Sequence, residues 1–172
     1  MQQDFFPKNE IKTELLNKQQ IGKQNKDDSR VSEGFVINEF QEIGFLVATA
    51  PEQTTEDFIF KKEHWNFWIG MQVKGSRPHN KAGGKDKKII YKNKLDIRFR
   101  HGSKGNSKLY DPFMIPYFAI VIIEEQKRLL MIKNTGQKSF DKCAEEYTEE
   151  KCKLSMKEFI REIEDFYKKK LS

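Results

Sequence analysis

Three side chains in the first half of the chain have types and spacing that could work together. Gln72 and Lys74 stand two apart in an apolar segment, Phe67-Trp68-Ile69-Gly70-Met71-Gln72-Val73-Lys74, and Asp57 opens a shorter one, Asp57-Phe58-Ile59-Phe60. Side chains alternate along a strand, so Gln72 and Lys74 project from one face while Val73 points to the other. If the two segments pair as a hairpin, the start of the first lies beside the end of the second, and Asp57 lands next to Gln72 and Lys74. Glu56 is expected to face away from Asp57. A carboxylate, a carboxamide and an ammonium in one small volume suit phosphodiester hydrolysis. A hard cation such as Mg²⁺ takes oxygen ligands, commonly one or two carboxylates with water. Asp57 would supply the main carboxylate, with the Gln72 side-chain oxygen and the Val73 carbonyl beside it. Lys74 would orient or help deprotonate the attacking water and offset charge in the transition state.

Elements on either side must hold these groups in place. Residues 30–43 carry Val31, Phe35, Val36, Phe40 and Ile43 at helical spacing, and Gly44 is a natural residue to end that helix. Before it, residues 1–29 read as an arm with a weakly amphipathic helix (Ile11, Leu15, Leu16, Ile21) and a loop at Gln24 to Ser29. Phe45 to Thr49 is β-branched and apolar and reads as a first strand. Tyr117 to Ile123 is a continuous apolar run, the pattern of a central strand covered on both faces, and Arg128 to Ile132 is the next strand. Helices are expected at Ser139 to Tyr147 and again from Ser155, which with Glu158 makes a capping box. Met156, Phe159, Ile160, Ile163, Phe166 and Tyr167 would line the buried face of the last helix. The order predicts an α/β domain over 30–172, a mixed β-sheet core flanked by helices.

Between 75 and 112 the composition changes. Residues 74 to 108 hold twelve Lys or Arg against only Asp86 and Asp96. Lys and Arg in such an insert neutralise phosphates and release counterions. Arg77, directly after the site strand, is the first candidate for a phosphate clamp, followed by Lys81, Lys85, Lys87, Lys88, Arg98 and Arg100. The pattern Leu95, Ile97, Phe99 alternating with Asp96, Arg98, Arg100 predicts a strand that could present its arginines to a groove. The whole chain of 172 residues carries a net charge of +6, which favours a polyanionic partner such as DNA. With 12% aromatic residues it is no disordered polyelectrolyte. Its longest apolar run, Tyr117 to Ile123, is far too short to span a bilayer, and no signal-like segment opens it, so no membrane partner and a cytoplasmic location are expected. The two cysteines, Cys143 and Cys152, lack the spacing of a zinc site.

Asp57…Gln72-Val73-Lys74 resembles the signature of the PD-(D/E)XK nucleases, in the variant whose second acidic position is Gln, as in intron-encoded homing endonucleases of this fold. The run Glu33-Gly34-Phe35-Val36…Phe40…Gly44-Phe45-Leu46-Val47 is similar to the way that family leads from its first helix into its first core strand. The resemblance covers about residues 30 to 135. It implies a restriction-endonuclease-like fold and a Mg²⁺-dependent endodeoxyribonuclease, with Mn²⁺ as a substitute. It also implies Glu33 as a further metal or water ligand beside Asp57, Gln72, Val73 and Lys74. Small enzymes of this kind commonly act as homodimers. The chain departs from the pattern at two places: Glu56, not proline, precedes Asp57, and neutral Gln72 leaves the site less negative, which weighs against tight binding of a second metal. A homing or restriction-like cutter, a defence or repair nuclease and a Holliday-junction resolvase all fit. A non-catalytic nucleic-acid-binding module on the same fold is the main alternative; a protein-interaction domain with a basic surface is a weaker one.

Overall fold

The computed structural model of the chain describes residues 8–83, 89–102 and 106–171. Its first element is a single helix, α1 (Lys8–Glu42), that runs straight through the loop expected at Gln24 to Ser29. That stretch contains neither glycine nor proline, and Ser29 shows how its polar side chains are accommodated on the helix surface, its Oγ donating to Glu33 at 2.8 Å. The helix stops where the sequence predicts. Gly44 has φ +83°, its N–H donates to the Gln41 carbonyl, and the Phe45 N–H donates to the Phe40 carbonyl. This is a Schellman end, sealed by the Phe40 and Phe45 rings at 5.4 Å.

The strands follow: β1 (Leu46–Thr49), β2 (Phe58–Lys61), β3 (Ile69–Ser76), β4 (His79–Gly83), β5 (Ile89–Arg98), β6 (Arg100–His101), β7 (Lys108–Leu109), β8 (Tyr117–Ile122), β9 (Arg128–Lys133) and β10 (Ser139–Cys143); α2 (Glu149–Leu171) closes the chain. The main sheet has the order β1-β2-β3-β8-β9. It is mixed: β3 and β8 run parallel, and the other neighbours are antiparallel. The fold is thus α/β with helices flanking a mixed sheet, as expected.

β8 divides the interior in two, because every residue of it is buried. Tyr117, Ala119 and Val121 join Val36 and Phe40 of α1 and Phe159 and Ile163 of α2 on one face. Phe118 and Ile120 face the other way, against Ile97, Phe99 and Tyr110. Both helices cover the first face. The second face is covered by the basic insert, whose β4 and β5 join β10 in a smaller sheet of order β10-β5-β4. Leu95, Ile97 and Phe99 point inward as the alternation predicts, and the Phe99 ring stacks on Phe118 at 4.1 Å. The helix expected at Ser139 to Tyr147 is instead β10 with a single 3₁₀ turn (Ala144–Glu146). Pairing with β5, from Ser139↔Arg98 to Cys143↔Lys94, satisfies its backbone and tucks Phe140 beside the second core. The last helix begins six residues before Ser155, with Thr148 at its cap. Ser155 lies within the helix, donating to the Cys152 carbonyl and accepting from the Met131 N–H. The side chains of Ile11, Leu15, Leu16, Ile21, Phe166 and Tyr167 lie outside the described residues.

The seam of α1 differs by one residue from the expected stripe. Val31 is exposed, while Ser32 is fully buried in line with Val36 and Phe40. The reason is Gly75 of β3: a Cβ there would stand 2.2 Å from Ser32 Oγ and 3.0 Å from Ile123 Cδ1. Helix and strand approach closely only because both residues are small. Gly75→Ala should therefore destabilise the fold by about 1–3 kcal/mol, the usual cost of overpacking. Adding Ser32→Ala should recover part of the loss in a thermal melt; no recovery would mean the contact is not what limits the approach.

Candidate active site

β2 is shorter than its neighbour, and this creates the site. Pairing of β2 with β3 ends at Phe58↔Met71, followed by one further bond from the Asp57 N–H to the Met71 carbonyl at 2.8 Å. Beyond that point β3 continues as Gln72, Val73 and Lys74 with β8 on one side only. The Val73 N–H turns toward the missing strand and is taken up by Asp57 Oδ2 at 2.6 Å. Gln72 Nε2 donates to the same oxygen in a short contact. Gln72 and Lys74 lie on one sheet face, with Val73 in the core on the other. The hairpin argument therefore brings Asp57, Gln72 and Lys74 together.

Asp57 is half-buried, and its acidity shows what surrounds it. Desolvation raises its pKa above the ordinary carboxylate value; the Val73 hydrogen bond and the Lys74 charge oppose the rise, and the Glu33 charge adds to it. Glu33 is thus an electrostatic neighbour of Asp57. It sits one turn after Ser29, which lines the site and holds Glu33 Oε1.

The amide of Gln72 is turned opposite to the sequence expectation. Its nitrogen faces Asp57 and, more weakly, the Val73 carbonyl at 3.4 Å. Two oxygens facing each other without a cation would repel, so the NH₂ takes the contact. A half-turn about the last torsion exchanges the two ends. Among the described residues no three His, Cys, Asp or Glu gather as a ready metal cage. The Asp57 carboxylate, the Val73 carbonyl and the Gln72 amide oxygen are hard donors, the kind that Mg²⁺ takes while keeping several waters.

Lys74 has a partner that the sequence did not single out. Its Nζ donates to the Tyr110 hydroxyl at 3.1 Å and lies 5.3 Å from the centre of the Tyr110 ring. Tyr110 is buried, packed edge-on against Phe118 at 5.5 Å. Buried Asn134 donates to the carbonyls of Tyr110 and Ile115, which pins the loop. Nothing near Tyr110 in sequence signals this role, since 36 residues separate it from Lys74. Glu56 is also placed differently from expectation: its side chain lies across Gly70, on the sheet face of Gln72 and Lys74.

The groups open into a cleft of about 590 Å³ between α1, the end of β3 and the second sheet. Arg77 lines it, yet its guanidinium is forked onto Asp28 at 2.7 to 3.2 Å. The pair fastens α1 to the end of β3, and a phosphate would have to compete with a carboxylate for this residue. Lys81 is engaged as well, with Asp96 at 2.8 Å and Asp141 at 2.7 Å. Arg98 and Arg100 are exposed, the latter donating to Ser107 Oγ at 3.2 Å. Lys85, Lys87 and Lys88 lie outside the described residues.

A mixed α/β core that exposes a carboxylate, an amide and a lysine at the open end of a hairpin defines a candidate hydrolytic centre. No family model matches the sequence, and no curated protein does. Among solved structures, that of a bacterial homing endonuclease, I-Ssp6803I, is similar to this chain at 14% identity and a TM-score of 0.47, over 68% of this chain and 76% of the other. A likeness that distant transfers neither residue roles nor activity. No helix among the described residues is long and apolar enough to cross a membrane.

Proposed function

We propose that this protein is a divalent-metal-dependent endodeoxyribonuclease of the PD-(D/E)XK kind, in its Gln variant, acting on DNA in the cytoplasm. The observation that carries the reading is the convergence of Asp57, Gln72 and Lys74 where β2 ends and β3 runs on. Asp57 and Glu33 would hold the cation, with the Val73 carbonyl and a turned Gln72 amide beside them. Mg²⁺ or Mn²⁺ there supplies polarisation of the phosphate and a lowered pKa for a bound water.

The chain's own groups do the rest. The Asp57 carboxylate is fixed by the Val73 N–H, so it needs no reorganisation when a substrate arrives. Lys74 sits beside it with its charge at the end of a partly buried stem, suited to orienting the attacking water, helping to deprotonate it or offsetting charge on the phosphate. Tyr110 holds the Lys74 ammonium by hydroxyl and ring. Tyr110→Phe keeps the ring and loses only the hydroxyl, so kcat should fall about tenfold, the value of one hydrogen bond to a charged group, with KM little changed. A matching rise in KM would make Tyr110 a binding residue instead.

The reading as a whole is tested by incubating the protein with supercoiled plasmid, a four-way junction and a randomised-site library, with Mg²⁺ or Mn²⁺ against EDTA. Metal-dependent cutting supports the nuclease. DNA binding with a steep salt dependence and no cleavage of any substrate would make the chain a binding module.

A further inference from the structure

The loop between β7 and β8 folds back over the sheet face that carries Gln72 and Lys74. One step before Gln72 on that face is Gly70, where a Cβ would stand 2.4 Å from Glu56 Cγ and 3.0 Å from the Met114 carbonyl oxygen. Glycine here makes room for the Glu56 side chain. Next to it lies a cavity of about 350 Å³ walled by Phe67, Trp68, Phe113, Met114 and Pro116. Trp68, Phe113 and Met114 are 42%, 72% and 54% exposed, a concentration of large apolar groups at the mouth of one pocket. At its edge, Glu56 Oε2 is shut from solvent and accepts no hydrogen bond among the described residues. A carboxylate oxygen placed so carries acceptor capacity that nothing among the described residues uses.

We propose that this pocket receives one unstacked nucleobase next to the scissile phosphate and favours bases with an exocyclic amine. The aromatic walls suit stacking, which every base can supply. The carboxylate adds selection, because it can only accept. The amines of cytosine, adenine and guanine satisfy it, and the broad terminal torsion of a glutamate lets either oxygen turn to meet them. Thymine offers only its N3–H, flanked on both sides by carbonyl oxygens that repel the carboxylate, so its pairing there is weaker. The position fits as well: Gly70 and Gln72 are two residues apart on one strand, roughly 6.6 Å, so a strand with its phosphate at Asp57 and Lys74 carries a neighbouring base over the pocket.

The location of the scissile phosphate rests on the nuclease reading, but the pocket can be tested without cleavage. The chain has two tryptophans, so its ¹⁵N–¹H spectrum holds two indole signals, and Trp68→Phe assigns them. Deoxycytidine, deoxyadenosine and thymidine are titrated separately in EDTA. The Trp68 signal should shift saturably with the first two and about tenfold more weakly with thymidine, the discrimination expected of a good base-edge contact. Glu56→Gln, with the Trp65 signal unmoved as evidence of folding, should erase the difference. An unresponsive Trp68 signal, equal response to thymidine, or discrimination that survives Glu56→Gln would each overturn the proposal. If the variant does not fold, the ranking in the unmodified protein decides it. Normal ranking with no cleavage of any DNA would refute the nuclease and leave the pocket standing.

Discussion

Replacing Lys74 with alanine lowers metal-dependent DNA cleavage by about 10²- to 10⁴-fold, the range lost with a positioned acid–base group. Affinity for uncleaved DNA should change little, because one lysine is a small part of the phosphate contact. The fold should survive: Lys74 is only partly buried, and its aliphatic stem gives way to a methyl group at the mouth of an open cleft. The measurement is single-turnover cleavage of an end-labelled duplex beside a binding titration in Ca²⁺ or EDTA. A variant that binds tenfold less and cuts normally once bound would show that Lys74 serves affinity and not chemistry. Losing this cation also removes the attraction that holds the Asp57 pKa down, so the pH at which the carboxylate ionises should move up.

Asp57→Asn abolishes cleavage and raises stability near neutral pH. The carboxylate titrates above its ordinary 3.8 because burial outweighs its hydrogen bonds and the Lys74 charge. Well below that pH both the folded and the unfolded chain hold the proton, and Asp57 contributes no difference. As pH rises, the unfolded chain releases its proton first while the folded one retains it. Stability therefore falls from about pH 4 up to the raised folded value and stays lower beyond it. Asparagine keeps an acceptor for the Val73 N–H and carries no charge to desolvate. Thermal melts from pH 3 to 8 should show the variant gaining on the parent through the acid range and levelling off above it. Mg²⁺ should raise the melting temperature of the parent and not of the variant, since ligands stabilise only what they bind. A variant less stable than the parent at pH 7 would show that the carboxylate is a net structural asset and its strain is not held for function.

The trade is visible in how the site is built. Asp57 takes the place of the next residue that β2 would have offered to β3, so one side chain caps an open backbone donor and, on the proposed reading, would also hold the cation. Gln72 neutralises part of the cost by donating to the same carboxylate. An acidic residue at 72 would repel Asp57 until a cation arrived. The neutral amide lets the site hold together without one.

Local pattern was enough for the elements that make the hairpin and its approach. The period of the α1 stripe near Val36 and Phe40, Gly44 as a helix end, the alternation around Gln72 and Lys74 and the unbroken apolar run of β8 each rest on geometry repeated within one element. They predict the same thing whatever packs against them. Asp57, Gln72 and Lys74 were legible for that reason, because a tight hairpin converts sequence spacing into spatial contact. Where partners decide, the same reading failed. Ser139 to Cys143 became a strand because β5 offered a ladder to pair with, and the polar run through Gln24 to Ser29 stayed helical. Val31 yielded the seam to Ser32 because Gly75 lay opposite.

The basic insert makes the contrast clearest. Its charge is a property of the sequence alone, and it points to a polyanion. Which of its charges are spent inside the molecule is not. Arg77 is held by Asp28, brought across from a helix 49 residues earlier, and Lys81 by Asp141 from a strand 60 residues later. Tyr110 reaches Lys74, and Glu56 turns over Gly70, by the same kind of long-range encounter. The chain by itself determined the meeting of Asp57, Gln72 and Lys74 and the strands that carry them, because alternation and hairpin pairing are local. Only the tertiary structure decided which charges are free and what steadies the lysine, because those depend on surfaces that meet after the chain has folded.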